Sequence, residues 1–189
     1  MELNILLTSI GRRVPLTQAL VKAYKVGHFS GKIITIDMDP LSPGIYVGDV
    51  FYLVPHSSHP DYLPTLLKIC RKEKVKYIIP TTDSELEILA YNRKFFEHIG
   101  TKVLVSSYQT VKISNDKLLT YRFLVENGFP TPRTYLGKEI KQYTDWTFPL
   151  FIKPRCGRGS VKSYPVENEK ELDFFLYYVP DPIVQEFAR

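Results

Sequence analysis

Residues 148–166, FPLFIKPRCGRGSVKSYPV, decide the fold of the second half of the chain. The first part is an apolar, strand-like run in which Lys153 shares a face with Phe151. A glycine- and cation-rich loop follows, and a second strand-like run completes the stretch to Val166. The pattern predicts two strands joined by a loop, and the lysine inside the first strand needs an explanation of its own.

Lys153 is placed where a lysine is seldom fully buried without a partner, because removing water from its charge is costly. The loop from Pro154 to Ser160 is longer than the roughly 2–5 residues usual for a hairpin. Gly157 and Gly159 allow backbone conformations that direct N–H groups into one concavity, and Ser160 adds a hydroxyl. This combination favours a polyphosphate-binding loop. The alternative is an edge-strand lysine that discourages aggregation, next to a mobile basic hairpin.

A second lysine lies at the start of a predicted helix. The stretch SNDKLLTYRFLVENGFPTP indicates a helix capped by one of residues Ser114 to Asp116 and ended by Gly128. Lys117 falls in the first turn, where the helix dipole disfavours a cation. Either Asp116 offsets that cost and Lys117 is an ordinary solvated lysine, or Lys117 points at an anion that the helix N-terminus also attracts.

The first part of the chain alternates strand and helix patterns. Its strand-like runs are LNILLTS, KIITID, DVFYLVP, KYIIP and TKVLVS. Alternation of this kind predicts an α/β fold, a doubly wound parallel sheet with helices on both faces. The first helix should bury one apolar stripe, formed by Leu16, Ala19, Leu20, Ala23 and Tyr24. A single helix is predicted from about Asp83 to His98.

The pattern changes near residue 113. Beyond the capped helix, two strands flank the glycine loop, a helix capped by Asn168 begins at Glu169, and PIVQEF is strand-like. Strand, strand, helix, strand predicts an α+β layer that is incomplete. We therefore expect two domains, residues 1–113 and residues 114–189.

Composition limits the classes of protein. The chain has 189 residues, a formal charge of +5 and two cysteines, Cys70 and Cys156, without metal-ligand spacing. These cysteines form no disulfide framework, so we expect a protein of the reducing cytoplasm. We expect no membrane span, because no apolar run approaches the roughly 18 residues that a span requires. The positive charge suggests anionic partners, but the absence of a long Lys/Arg block argues against nucleic acid.

The motifs resemble a known family. The stretches SNDKLLTYRFLVENGFPTPRTY, FPLFIKPRCGRGSVKSY and PIVQEF, in this order, resemble the first half of an ATP-grasp fold. The stretches ILLTSIGRRVPLTQAL, YLVPHSSHPDYLPTLLKICRKEKVKYIIPTTDSELEIL and GTKVLVSS are similar to the preceding domain of carbamoyl-phosphate-synthase large-subunit-like members. The resemblance covers essentially the whole chain and implies a Rossmann-like pre-ATP-grasp domain followed by an incomplete ATP-grasp lobe.

The resemblance implies an ATP-dependent ligase and a role for seven residues. They are the phosphate-binding lysines Lys117 and Lys153, the flexible-loop residues Gly157, Gly159 and Ser160, and the adenine and ribose linker residues Gln185 and Glu186. Such enzymes phosphorylate a small carboxylate to an acylphosphate, which an amine or other nucleophile then attacks. Positive groups and magnesium stabilise the charge that spreads during phosphoryl transfer.

The family's magnesium ligands belong to a second lobe, beyond the point that corresponds to Arg189. We therefore expect a truncated piece or one half of a split enzyme, which binds ATP weakly and turns over nothing alone. The missing lobe, or a partner subunit that replaces it, would be its obligatory partner. A homodimer is also compatible with the sequence.

The N-terminal domain offers a second candidate site. Arg12 and Arg13 follow the first strand, where doubly wound folds bind ligands, and could hold a carboxylate or phosphate. Asp83 and Glu85 open a helix, so capping and dipole compensation explain them as well as a substrate contact does. The resemblance implies that this domain faces the ATP site, and we expect these four residues to contact the substrate.

Two other classes stay open. Asp37 ends the second strand and could bind a dinucleotide ribose, as in an oxidoreductase, but only Gly11 is present where G-x-G-x-x-G is required. A non-catalytic basic module that binds nucleic acid would show a steep salt dependence of binding. ATP binding near Lys117 and Lys153 distinguishes the ligase from both.

Overall fold

A computed structural model describes residues 2–188 and contains two compact units, Met1–Tyr108 and Gln109–Arg189. The first unit alternates strands and helices, as the sequence predicted. Its elements are β1 (Ile5–Thr8), α1 (Val14–Val26), β2 (Ile33–Asp37), β3 (Val50–Leu53), α2 (Tyr62–Lys72), β4 (Tyr77–Pro80), α3 (Asp83–Tyr91), α4 (Arg93–His98) and β5 (Lys102–Val103), with a 3-10 turn at Pro43–Val47.

These five strands form one parallel sheet in the order β3-β2-β1-β4-β5. Both faces of the sheet are covered, because alternate residues of β1 enter different cores: Leu6 packs with residues of α2, α3 and α4, whereas Ile5 and Leu7 pack with residues of α1. The predicted doubly wound α/β fold is confirmed. The strand order reverses between β1 and β4, and ligands of such sheets bind outside that point.

Two local predictions in this unit were wrong. The buried side of α1 runs through Thr17, Leu20, Val21 and Tyr24, and Leu16 is 40% exposed. Both stripes have helical spacing and share two members, so periodicity alone could not choose between them. The single helix predicted after β4 is two helices, α3 and α4, which meet at Asn92.

The second unit is an α+β layer. Its elements are α5 (Tyr108–Asn115), α6 (Lys117–Glu126), β6 (Thr134–Leu136), β7 (Leu150–Pro154), β8 (Tyr164–Val166), α7 (Glu169–Tyr178) and β9 (Pro182–Glu186), with a 3-10 turn at Gly137–Gln142. The sheet is antiparallel, in the order β6-β9-β7-β8. Both predicted helix caps are present: Asp116 accepts from the backbone of α6, and Asn168 from that of α7.

One face of this sheet is covered by α7. The core between them contains Leu150, Ile152, Val166, Leu172 and Val184. The opposite face carries the side chains that alternate with these along the strands, and among them are Lys153 and Gln185. Across residues 2–188 no helix is long and apolar enough to cross a membrane.

Candidate functional site

The two lysines and the glycine loop all lie in the second unit. β7 and β9 pair with Phe151 opposite Gln185 and with Lys153 opposite Ile183. Because Ile152 faces the core beneath α7, its neighbours along β7 point to the other face of the sheet. Phe151, Lys153 and Gln185 therefore project from the same face.

A chain of hydrogen bonds fixes Lys153 on this face. Lys153 Nζ donates to Gln185 Oε1 at 2.8 Å, and Gln185 Nε2 donates to Thr134 Oγ1 at 2.8 Å. The Thr134 hydroxyl in turn donates to the carbonyl of Pro132 at 3.1 Å. Each group has one defined role in the chain, so the amide of Gln185 is oriented with its oxygen towards the ammonium group.

Lys153 is half-buried without a counter-ion. Burial is the main cause that lowers the pKa of Lys153, and the positive charge of Lys117 lowers it further. Within residues 2–188 no carboxylate forms an ion pair with either ammonium group. Two neighbouring cations that lack an acidic partner favour the binding of an anion.

Lys117 approaches the glycine loop from the start of α6. Its backbone N–H donates to the carbonyl of Arg155 at 3.0 Å, and its Nζ donates to the carbonyl of Gly157 at 3.0 Å. The ammonium group therefore lies at the mouth of the loop. A backbone carbonyl is a weak partner for a cation compared with a phosphate oxygen, so this contact is one that an anionic ligand can replace.

The loop has an unusual backbone. Gly157 has φ +144° and Gly159 has φ +64°, while Ser160 and Lys162 both have φ +56°. A Cβ on Gly159 would meet nothing within 4 Å, so glycine is favoured there by the dihedral angle rather than by space. Left-handed residues within turns, as at Gly159 and Ser160, can direct neighbouring N–H groups towards a common side, which is the geometry of anion-binding loops.

Glu186 lies apart from this group. It follows Gln185, so its side chain points to the other face of the sheet. Arg133 holds it there: the Arg133 N–H donates to Glu186 Oε2 at 3.0 Å, and Arg133 Nε lies 3.5 Å from Glu186 Oε1. Arg133 also pairs with Asp145 at 2.7 Å. The structure does not bring the carboxylate of Glu186 together with the two lysines.

Several residues of this site were missed from the sequence. Thr134 orients Gln185, and nothing in its local sequence marks it. The ring of Phe151 lies beside Lys153, whose Nζ is 5.6 Å from the ring centroid, and Phe187 is 6.3 Å from Phe151 between ring centroids. The strand alternation that places Phe151 and Lys153 on one face could have identified the ring as part of the site.

No cluster of magnesium ligands is found among residues 2–188. Divalent magnesium prefers several oxygen ligands, chiefly carboxylates together with substrate phosphates. Within residues 2–188 there is no group of three or more His, Cys, Asp or Glu side chains that could hold a metal ion. The described residues thus provide positive charge for a polyphosphate but no metal-ligand set.

In the first unit, the loop after β1 carries the predicted arginines. Arg12 and Arg13 are both exposed, and Arg13 Nη1 donates to the carbonyl of Ser9 at 3.2 Å. Asp37 stabilises this loop, because its Oδ2 accepts a hydrogen bond from the N–H of Gly11 at 2.7 Å. Asp37 is only 7% exposed, so it stabilises the loop and does not present a carboxylate to a dinucleotide.

Glu85 is buried, and the structure does not place it at a ligand surface. It is 1% exposed and accepts hydrogen bonds from Thr8 at 2.5 Å, from Tyr62 at 2.8 Å and from Ser9. Asp83 begins α3, and its side chain is exposed. Of the four predicted substrate residues, the structure leaves Arg12, Arg13 and Asp83 exposed and encloses Glu85.

Comparison with known proteins identifies the family. Residues 5–104 match the model of the PylC-like N-terminal domain, and residues 114–189 match that of the ATP-grasp domain. The chain belongs to the ATP-grasp superfamily. Its N-terminal domain is PylC-like, and a specific relation to carbamoyl-phosphate synthase is not shown.

Relatives of this ATP-grasp chain are longer than it is. The 3-methyl-D-ornithine–L-lysine ligase of Methanosarcina barkeri is 24% identical over 172 residues, which are 91% of this chain and 42% of the relative. A crystal structure of L-amino acid ligase from Bacillus licheniformis superposes with a TM-score of 0.76 at 15% identity, covering 99% of this chain and 44% of that one. The N5-carboxyaminoimidazole synthetase of Staphylococcus aureus, complexed with ADP, gives 0.74 at 16% identity, covering 100% and 49%.

The structural likenesses establish the fold, and the domain matches establish the superfamily. The chain spans less than half the length of each of these three relatives. The catalytic activity, substrates and partners of the whole protein are therefore proposed below.

Proposed function

We propose that residues 114–189 form a nucleotide-binding domain for ATP, following a domain of residues 1–113, in a ligase that activates a carboxylate as an acylphosphate. An amine or another nucleophile then attacks the acylphosphate. The observation that carries this proposal is the convergence of Lys117, Lys153 and the glycine loop on one region of the second unit. Among residues 2–188, neither lysine has an acidic partner.

The phosphates of ATP are the ligand that this charge pattern fits. On binding, a phosphate oxygen replaces the carbonyl of Gly157 as the partner of the Lys117 ammonium group. A second phosphate oxygen approaches Lys153, and the N–H groups of the loop, with the hydroxyl of Ser160, cover the chain of phosphates. Each charge-assisted contact should contribute roughly 1.5–3 kcal/mol.

The adenine base lies, in this proposal, beside the ring of Phe151. That ring is on the same sheet face as Lys153 and Gln185 and offers an apolar surface for stacking. Gln185 provides a polar side chain at the edge of the base. Glu186 contributes through its backbone, because its carboxylate is bonded to Arg133.

The substrate that we propose follows from the relatives and from two exposed arginines. Two relatives are named as ligases that join or act on amino acids, and a small carboxylate is accordingly the substrate we propose. Arg12 and Arg13 are exposed at the carboxyl end of β1 and could hold its charge. We retain the resemblance to carbamoyl-phosphate synthase as part of the proposal. Magnesium would require ligands from a further lobe or a partner subunit.

A binding experiment tests the nucleotide assignment. Calorimetric titrations of the chain with ATP, NADH and a short DNA duplex should give saturable binding for ATP and none for the other two. Saturable binding of NADH with no binding of ATP would support the oxidoreductase class instead. Binding of DNA that weakens steeply with salt would support a basic module.

A further inference from the structure

Asp116 forms two sets of contacts at once. Its Oδ1 accepts from the N–H groups of Leu118 and Leu119 at 3.0 and 3.1 Å, which caps α6. The same carboxylate accepts from Arg155 Nε at 2.9 and 2.8 Å and pairs with Arg155 Nη2 at 2.6 Å. Asp116 therefore caps α6 and also forms an ion pair with Arg155, near the start of the glycine loop.

This ion pair is well placed to be strong. The side chains of Arg155 and Asp116 are only 29% and 13% exposed, and the guanidinium group contacts both carboxylate oxygens, a geometry that gives more stabilisation than a single surface contact. Burial alone would raise the pKa of Asp116, but the hydrogen bonds from Arg155 and from the helix N–H groups outweigh it, and the pKa is lowered.

The neighbours of the pair are the proposed ATP-binding groups. Lys117 follows Asp116, and its N–H donates to the carbonyl of Arg155 at 3.0 Å. Cys156 follows Arg155 and forms an isolated antiparallel bridge with Asp116. Next along the chain is Gly157, whose carbonyl accepts from the Lys117 ammonium group. The pair thus joins the base of α6 to the first residues of the loop.

We propose that Asp116 and Arg155 are positioning residues that hold the Lys117 ammonium group at the mouth of the loop and anchor the near end of the loop. The residues from Gly157 onward, where positive φ values begin, lie beyond this anchor. The inference rests on the proposed ATP site. Neither residue of the pair is assigned a contact with the nucleotide.

The test uses Arg155→Gln, which removes the ion pair but leaves the helix cap, and Asp116→Asn, which keeps an oxygen for the cap. Each should weaken ATP binding about tenfold or more, the size of a typical coupling between linked groups, with AMP binding unchanged. Arg155→Lys should restore part of the loss. Arg122→Gln is the control, because Arg122 is an exposed arginine of α6 that has no ion pair within residues 2–188.

A double substitution separates positioning from mere stabilisation of the fold. If the pair acts through Lys117, Arg155→Gln should weaken ATP binding in the wild-type chain but not in a Lys117→Met background. Equal losses in the two backgrounds, with urea unfolding showing lower stability in both, would refute the positioning role. Hydrogen exchange without nucleotide adds a second readout: Arg155→Gln should speed exchange at residues 116–118 and 155–158 and leave β9 unchanged. Unchanged exchange at those residues would also overturn the inference.

These outcomes are distinct from failure of the proposed function. If the wild-type chain binds ATP and Lys117→Met weakens it while Arg155→Gln does not, only the positioning role falls. If the wild-type chain does not bind ATP, the proposed function falls and the positioning role falls with it.

Discussion

Replacing the buried carboxylate of Glu85 by leucine should cost the first unit about 3 kcal/mol of folding free energy. Three hydroxyl groups, those of Thr8, Ser9 and Tyr62, donate to Glu85, and Thr8 and Tyr62 are 0% and 1% exposed. Each buried donor left without an acceptor costs roughly 1–3 kcal/mol. We take about 1 kcal/mol for each of the three donors, the low end of this range, which gives the estimate. The low end applies because replacing Glu85 also removes the cost of burying its carboxylate, and this gain offsets part of the loss.

Urea unfolding followed by circular dichroism measures this loss. Glu87→Gln, on the same helix but at its surface, is the control and should change stability by less than about 0.5 kcal/mol. The decisive comparison involves Tyr62. Burial and then the charge of Glu85 raise the pKa of Tyr62, so its hydroxyl stays protonated and donates. Tyr62→Phe should therefore destabilise the wild-type chain, but be neutral or stabilising in the Glu85→Leu background.

A loss below about 1 kcal/mol for Glu85→Leu would contradict this reasoning, since the orphaned donors alone should exceed it. The reasoning would also be contradicted if Tyr62→Phe lowered the free energy of unfolding by the same amount in both backgrounds. Either outcome would reopen the alternative in which the carboxylate of Glu85 serves a ligand and is enclosed only in the ligand-free protein.

Three further predictions concern the ATP site. Burial and a neighbouring ammonium group lower the pKa of Lys153, so the variant Lys153→Met should be more stable than wild type at pH 7. This difference in the free energy of unfolding should shrink as the pH rises through the pKa of Lys153 in the folded chain towards 10.5. Urea unfolding at several pH values would show the trend. Cys156 is exposed, whereas Cys70 is buried and burial raises its pKa to about 12. A thiol reagent should therefore label only Cys156 in the native chain, and ATP should slow that labelling. Equal labelling rates with and without ATP would count against closure of the loop over the nucleotide. Gly159→Ala should weaken ATP binding several-fold through a left-handed strain of about 1–2 kcal/mol, whereas Gly128→Ala, with φ +73° and equally open surroundings, should lower stability and leave ATP affinity intact.

The sequence predicted the architecture well where local signals are strong. The short apolar runs of the first unit alternate with helical patterns, and all five became strands of one parallel sheet. The caps at Asp116 and Asn168 were found because a capping side chain acts on backbone within three residues of itself. β6 and α5 were missed. β6 is three residues long and pairs only with β9, where Gln185, opposite Thr134, is 51 residues further along the chain.

The candidate site shows the same division. Lys117, Lys153 and the loop glycines could be selected from sequence because their residue types are unusual at their positions. The orientation of Gln185 by Thr134 and the ion pair of Asp116 with Arg155 could not, since both depend on which strands become neighbours. Glu85 was weighed as an acidic residue at the start of a helix, but its environment is set by β1 and α2, which are distant in sequence.

The most direct test of the account is the dependence of nucleotide affinity on the two lysines and on the phosphates together. Calorimetric titrations of wild type, Lys117→Met, Lys153→Met and the exposed-lysine control Lys138→Met, each with ATP and with AMP, provide it. Each site variant should bind ATP about 10- to 150-fold more weakly, the equivalent of one lost charge-assisted contact of roughly 1.5–3 kcal/mol, and should bind AMP as wild type does. If either site variant bound ATP as tightly as Lys138→Met, the two ammonium groups would not share a phosphate ligand, and the central claim would be wrong.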